Sequence, residues 1–346
     1  MAWPRRQVMA SALAAATLGT GAARADDPRF VGIATGSLTG TYYPVGTLLA
    51  SLLSSPPGAR PCGEAGGCGV PNLILVVETS KGSVANVEAI SAGRVATGFA
   101  QSDVAYGAFA GTGVFAGRPP MANLRALASL YVESLHLVVT AISGIKRVAD
   151  LRGRRVSLDV EGSGTLIDAL AVLEAFGLAP GDLTAVHVSQ DRAIDLMTGG
   201  ALDALFIVAG YPAATVTELT RTIGAQLVPI TGEPVGRLLA SHRFITLDDI
   251  PGDTYPGIES GTPTVGVAAL WLAGTDLDEE LAKLEEQEMQ LSREFLAIDS
   301  APSTVVIARE GACAWLTRMR SRVADSRMRG NISSEIASSS AARYIA

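Results

Sequence analysis

Histidine is scarce and scattered. The 346 residues hold three, His136, His187 and His242, beside three cysteines, Cys62, Cys68 and Cys313. Structural zinc sites need paired Cys/His ligands, and nothing here pairs with Cys62 and Cys68. The three histidines give no spacing that suggests a catalytic triad, although triads are defined by geometry and not by order along the chain. A hydrolase elbow, Gly-x-Ser-x-Gly, is missing: Ser163 has Glu161 where the first glycine belongs. Gly111-Thr-Gly113-Val-Phe-Ala-Gly117 misses the dinucleotide fingerprint by one position and follows no clear strand. No cofactor or metal is expected. Basic residues are also few, 27 Lys and Arg against 34 Asp and Glu, net charge −7. That balance argues against a nucleic-acid partner, which needs clustered cations to displace counterions. There is no fixed repeat of 20–50 residues, which argues against a solenoid. Beyond the N-terminus no apolar run approaches a membrane span; the most apolar, Thr264–Gly274, is of strand length and reads as a buried strand.

The N-terminus reads as an export signal. Arg5 and Arg6 form a basic start, Val8 to about Thr20 is small and apolar, and Ala23-Arg24-Ala25 has the small-x-small form of a cleavage site. The paired arginines loosely fit a twin-arginine signal, so export by either the Sec or the Tat route is compatible. A periplasmic protein cleaved near Ala25 is expected. In that oxidising setting Cys62 and Cys68, which flank a Gly-rich loop, are expected to pair as a disulfide, with two free thiols the alternative; Cys313 is left over as a buried apolar residue.

What the chain has is a repeated strand–loop–helix rhythm with small polar residues in the loops. Phe30–Ala34 leads into Thr35-Gly-Ser-Leu-Thr39-Gly40-Thr41-Tyr42-Tyr43. Leu73–Val77 leads into Glu78-Thr-Ser-Lys81-Gly82-Ser83. Val95–Ala100 leads into Gln101-Ser-Asp103. Later, Arg154–Leu158 is followed by Asp159-Val-Glu161-Gly162-Ser163-Gly164-Thr165 and a helix with Leu166, Leu170 and Leu173 on one face and Gly177 as its stop. His136–Thr140, Ala185–Val188, Ala204–Val208 and Gln226–Ile230 read as further strands; Ile145–Leu151 and Arg192–Met197 read as helices. Such units imply α/β layers with mainly parallel strands. Their loops gather at the carboxyl ends of the strands, and the free N–H groups of the helix starts favour an anionic group there. None of these loops has a catalytic constellation of its own, which points to binding and not to an enzyme.

Taken in order and spacing, Gly36-Ser-Leu-Thr-Gly40-Thr41-Tyr42-Tyr43-Pro44-Val-Gly46, Gly82-Ser83-Val84-Ala-Asn86, Gly98-Phe-Ala-Gln101-Ser-Asp103-Val-Ala-Tyr106, Leu124–Tyr131, Gly144–Leu151, Gly162–Thr165 and Asp203–Phe206 resemble the TAXI family of TRAP transporter solute receptors. The resemblance covers about Phe30 to Leu272. It departs from the family at Leu38-Thr39, where members often carry a smaller Gly-rich pair. It implies a type II periplasmic-binding-protein fold, two α/β lobes around a ligand cleft. It further implies a small solute, either a glutamate-like amino acid or a carboxylate, delivered to a TRAP membrane permease. The expected division is a signal peptide at 1–25, lobe I at 29–135 plus 261–346, and lobe II at 136–260. Leu124–Tyr131 and Thr264–Leu272 are the candidate crossings.

The expected ligand-binding residues are Thr39, Gly40, Thr41 and Tyr42 in the first loop, Ser83 in the second, Gln101 and Asp103 in the third. Glu133 near the crossing, Ser163, Gly164 and Thr165 at the second-lobe helix start, and Gly210 after Ala204–Val208 complete the set. Each has a plainer reading. Thr41 and Tyr42 suit N-capping and packing as well as ligand contact. Ser83 reads as an N-cap whose backbone N–H still faces a ligand. Asp103 is a cap or an amine partner, Glu133 an amine partner or a hinge residue, and Gly162–Thr165 a ligand loop or a turn with a cap. Asn86 reads as structural. Lys81 and Arg192 are counter-ions for a carboxylate or simply solvated. The rival classes are a receptor of the same fold that presents its ligand to a sensor kinase, and an exported hydrolase.

Overall fold

The computed structural model describes residues 27–59 and 69–277. The expected export signal, the expected Cys62–Cys68 disulfide, Cys313 and the C-terminal 278–346 lie outside the described residues. In chain order the elements are β1 Arg29–Ala34, α1 Tyr42–Leu53, β2 Ser54–Ser55, β3 Val70–Pro71, β4 Leu73–Glu78, α2 Ser83–Ser91, β5 Thr97–Gln101, α3 Ser102–Ala110 and β6 Leu124–Val139. They continue as β7 Arg155–Ser157, α4 Gly164–Ala175, β8 Thr184–Val186, α5 Gln190–Thr198, β9 Ala204–Ala209, α6 Ala214–Ile223, β10 Gln226–Leu227, α7 Glu233–Ser241, β11 Ile245–Ile250 and β12 Thr262–Gly274.

One long mixed sheet runs in the order β4-β1-β5-β12-β6-β9-β7-β8, with β10 on β6 and β11 on β12. At each end the strands are parallel, β4-β1-β5 in the first lobe and β9-β7-β8 in the second. The centre is antiparallel: β12 pairs with β5 and β6, and β6 with β9. The expectation of mainly parallel strands therefore holds only in the lobes. The reason is topological. β6 carries the chain out of the first lobe and β12 carries it back, so the two crossings must run in opposite directions.

β6 is a single 16-residue strand, not the separate crossing and His136–Thr140 strand expected from the sequence. Its first half is half-exposed, while Glu133–Val139 is buried throughout. That burial on both faces hides the alternation that would mark one continuous strand. The helix expected over Ile145–Leu151 is only a short 3-10 turn, Val148–Leu151. Gly144 sits at φ +70° just before it. The Asp150 carboxylate takes the Lys146 N–H at 3.1 Å, which would otherwise be an open helical donor.

Apolar clusters cover both faces of each lobe's sheet. In the first lobe Ile33, Leu49, Leu73, Phe99 and Trp271 pack on one side, and Val87, Ile90, Val104 and Phe115 on the other. In the second, Leu137, Leu158, Val172 and Phe206 form one layer and Leu205, Ile207, Val216 and Leu219 the opposite one. Successive residues of β9 feed opposite layers, the period-2 alternation of a strand covered twice. Among the described residues no helix is long and apolar enough to cross a membrane.

Candidate functional site

The carboxyl ends of the parallel strands in both lobes face one cavity of about 160 Å³. Helices α1, α2, α4 and α5 each begin at its wall, through Tyr42, Ser83, Gly164 and Gln190, and α3 starts immediately after the lining residue Gln101. Their first N–H groups have no partner within the helix and carry the positive end of its dipole. The volume decides the scale of a ligand: a dry engineered cavity of about 150 Å³ holds benzene, so a solute of very roughly six to ten heavy atoms fits.

From the first lobe the lining is Gly36, Ser37, Gly40, Thr41, Tyr42, Ser80, Lys81, Gly82, Ser83 and Gln101; Glu133 comes from β6; Asp159, Val160, Ser163, Gly164, Thr165, Ser189, Gln190 and Val208 come from the second lobe. Nine of the twelve expected ligand residues therefore lie on one surface. The other three lie off the lining. Thr39 ties the lobes at the rim, its hydroxyl donating to Asp191 at 2.8 Å. Gly210 donates its N–H to Thr41 Oγ1 at 3.1 Å. Asp103 lies deeper, against Asp168.

Tyr42 is buried in the first-lobe core edge, stacked edge-on against Phe99 at 5.5 Å. Its hydroxyl donates to Glu133 at 2.6 Å and lies 3.3 Å from Ser83 Oγ. Thr41 precedes α1 but makes no side-chain cap; its oxygen accepts from Tyr131 and from Gly210 instead. Ser83 is not the cap expected of it. Gly82 takes that place at φ +111°, and Ser83 is the first helical residue. Its hydroxyl, released from capping, accepts the Gln101 N–H at 3.1 Å. Ser163 does cap, accepting from Leu166 N at 3.1 Å while lining the cavity. Thr165 accepts from Val208 N at 3.2 Å. Asn86 is structural: its amide donates to the carbonyls of Thr35 and Phe99 and pins β1 to β5.

Gly164 is where the two walls meet most closely. A Cβ there would lie 1.5 Å from Gln101 Oε1 and 2.7 Å from Ser83 Oγ. Any larger residue must displace the Gln101 side chain and crowd the Ser83 hydroxyl.

Two carboxylates line the cavity. Burial pushes the Glu133 carboxyl up to about 8; the Tyr42 hydrogen bond pulls it down, and the nearby Asp103 charge adds to the rise. Burial also raises Asp159, to about 6, against bonds from Val160 N–H and nearby Ser163, Gln190 and Thr165. Lys81 is exposed at the mouth, while Arg192 is occupied by Asp195 at 3.3 Å and lies off the lining. The wall thus offers helix N-termini and Lys81 to an anion, and Glu133 and Asp159 to a cation.

Sequence reasoning missed Asp159, Ser189 and Gln190. The sequence places the α5 start at Arg192, two residues late, which hides Ser189 as its cap, a role the structure gives it through Arg192 N. Asp159 adopts φ +70°, a conformation in which its side chain bonds its neighbour's N–H at 2.8 Å; a β-loop-α position alone does not announce that.

A sequence profile described as the NMT1-like family matches residues 33–284. The chain belongs to the NMT1-like family. This assignment is coarser than the TAXI resemblance. Among solved structures, this NMT1-like chain is similar to the alkanesulfonate-binding protein SsuA from Xanthomonas axonopodis pv. citri bound to MOPS, at 18% identity and TM-score 0.46, over 85% of this chain and 80% of that one. It is also similar to PhnD1 from Prochlorococcus marinus (MIT 9301) in complex with methylphosphonate, at 14% identity and TM-score 0.46, over 75% and 84% of the two chains. A putative L-cystine ABC transporter from Listeria monocytogenes matches at 14% identity and TM-score 0.43, over 77% and 91%. Likeness this distant names no ligand for this chain.

Proposed function

We infer that the protein is an exported solute-binding receptor of the TAXI type. It captures a small carboxylate-bearing solute, glutamate or a related amino acid, and hands it to a TRAP membrane permease. The observation that carries this reading is the cavity between the lobes, ringed by helix starts and closed by hydrogen bonds that run from one lobe to the other. Helix N-termini with Lys81 suit the solute's carboxylate. Glu133 and Asp159 suit its ammonium group, which favours an amino acid over a plain dicarboxylate. A ligand held by both walls binds the closed arrangement better than the open one, and that difference in affinity is what drives closure. The lining includes neither histidine nor cysteine, so a Ser-His or Cys-His pair does not stand on it.

A thermal-shift screen of L-amino acids and dicarboxylates, confirmed by calorimetry, tests the reading. A ligand at a hundredfold excess over its Kd stabilises the folded state by about 2.7 kcal/mol. Amino acids with an acidic or amide side chain are expected to raise the melting temperature and to be recovered unchanged. A screen in which none of them shifts it, or in which one is turned over, contradicts the reading.

A further inference from the structure

Behind Gln101 two carboxyls meet across the lobe boundary. Asp103 sits in the first turn of α3 in the first lobe and Asp168 in the second turn of α4 in the second. Asp168 is 3% exposed. Each leaves its Oδ1 buried with no hydrogen-bond partner, among the described residues. The other oxygen of Asp168 accepts from Gln101 Nε2 at 3.0 Å, so the pair is joined directly to a residue that lines the cavity. The two carboxyls are within hydrogen-bonding reach of one another. Two carboxylates cannot hydrogen-bond each other, so one of the pair must carry a proton.

We propose that Asp103 and Asp168 form a proton-holding clasp between the lobes, so that closing the cleft takes up one proton. With the lobes apart, both carboxyls are hydrated and lose their protons near pH 4. With the lobes together, burial holds Asp168 well above that range, and Asp103 and Glu133 add to the rise. The closed state therefore binds one proton more than the open state between the ordinary carboxylate range and the raised value. Closure is favoured as pH falls through that window, by up to tenfold per pH unit. The other groups facing the clasp are Glu133 on β6, which is bonded to Tyr42, and His242 at the end of α7, whose charge acts on Asp103. Both persist when the clasp alone is altered.

Small-angle X-ray scattering of the ligand-free protein between about pH 5 and 8.5 tests this without any assumption about the ligand, so failure of the solute-receptor reading leaves the result intact. The wild type is expected to be compact at the acid end and to expand as pH rises. In Asp168→Asn the amide donates permanently to Asp103 and still accepts from Gln101, so this variant is expected to expand much less than the wild type over the same range, with only the response of Glu133 and His242 left; Asp103→Asn is expected to do the same if Asp168→Asn does not fold. A wild type with no pH response, or variants that respond as it does, overturns the proposal. Carbon-detected NMR of aspartate carboxyls over the same pH series decides it with no variant: one carboxyl that stays protonated while the wild type is compact and ionises as it expands supports the clasp, and all carboxyls ionised while the protein is still compact overturns it.

Discussion

The first-lobe wall of the cleft meets the cavity with the neutral side chains of Ser37, Thr41, Ser80, Ser83 and Gln101, of which Ser83 and Gln101 bond to each other, and with Lys81 at the mouth. The second-lobe wall sets Asp159 among Ser163, Thr165 and Gln190, with Asp168 behind. The backbone logic is the same on both sides: a strand ends, a small-residue loop turns, a helix begins. The chemistry differs. For the proposed solute, the first-lobe side would select by hydrogen-bond direction and shape, and the second-lobe side, with Glu133 where the crossing strand enters, would make occupancy depend on charge and pH through its buried carboxyls.

The contrast can be broken most sharply at the contact between the walls. Gly164→Val places side-chain atoms where Gln101 and Ser83 now stand; it is expected to cut solute affinity by well over a hundredfold, read by calorimetry, with far-UV dichroism unchanged.

Tyr42→Phe removes the donor to Glu133. That bond is internal to the protein, so its loss is expected to lower stability by about 0.5–1.5 kcal/mol in chemical denaturation, and to weaken solute binding through the loosened Glu133. Glu133 titrates higher in that variant.

Glu133→Gln sharpens the charge side. The folded-state value is about 8 and the unfolded one about 4.3, so the folded protein holds the extra proton between them. Stability from this group is fully present below the unfolded value and falls as pH rises toward the folded one. The variant is therefore expected to melt higher than the wild type near pH 8 and alike near pH 4, on differential scanning calorimetry, while binding an amino acid more weakly.

Ser163→Ala removes an α4 cap and is expected to lower stability by about 1 kcal/mol in chemical denaturation. Thr39→Ala, at the exposed rim, is the smallest effect: stability within about 0.5 kcal/mol of wild type.

The loops were legible in the sequence because they obey a local rule. Gly, Ser and Thr between an apolar run and a helical pattern mark a strand–loop–helix turn wherever the strand lies in the sheet. That rule reached Gly40, Thr41, Tyr42, Ser83, Gln101 and Ser163 to Thr165. It did not reach what depends on the partner lobe. Ser83 reads as a cap until Gly82 is seen to take that place. Asp159 and Asp168 look like solvated loop and helix acids until the other wall closes over them. β6 splits in two on paper because burial on both faces erases its alternation.

The most direct test of the account is calorimetric titration of wild type and Gly164→Val with the amino acid that gives the largest thermal shift. One molecule bound per wild-type chain, and none detectable on folded Gly164→Val, is the predicted result. Equal affinity in the two proteins would contradict it, because the solute would then sit somewhere other than between these walls.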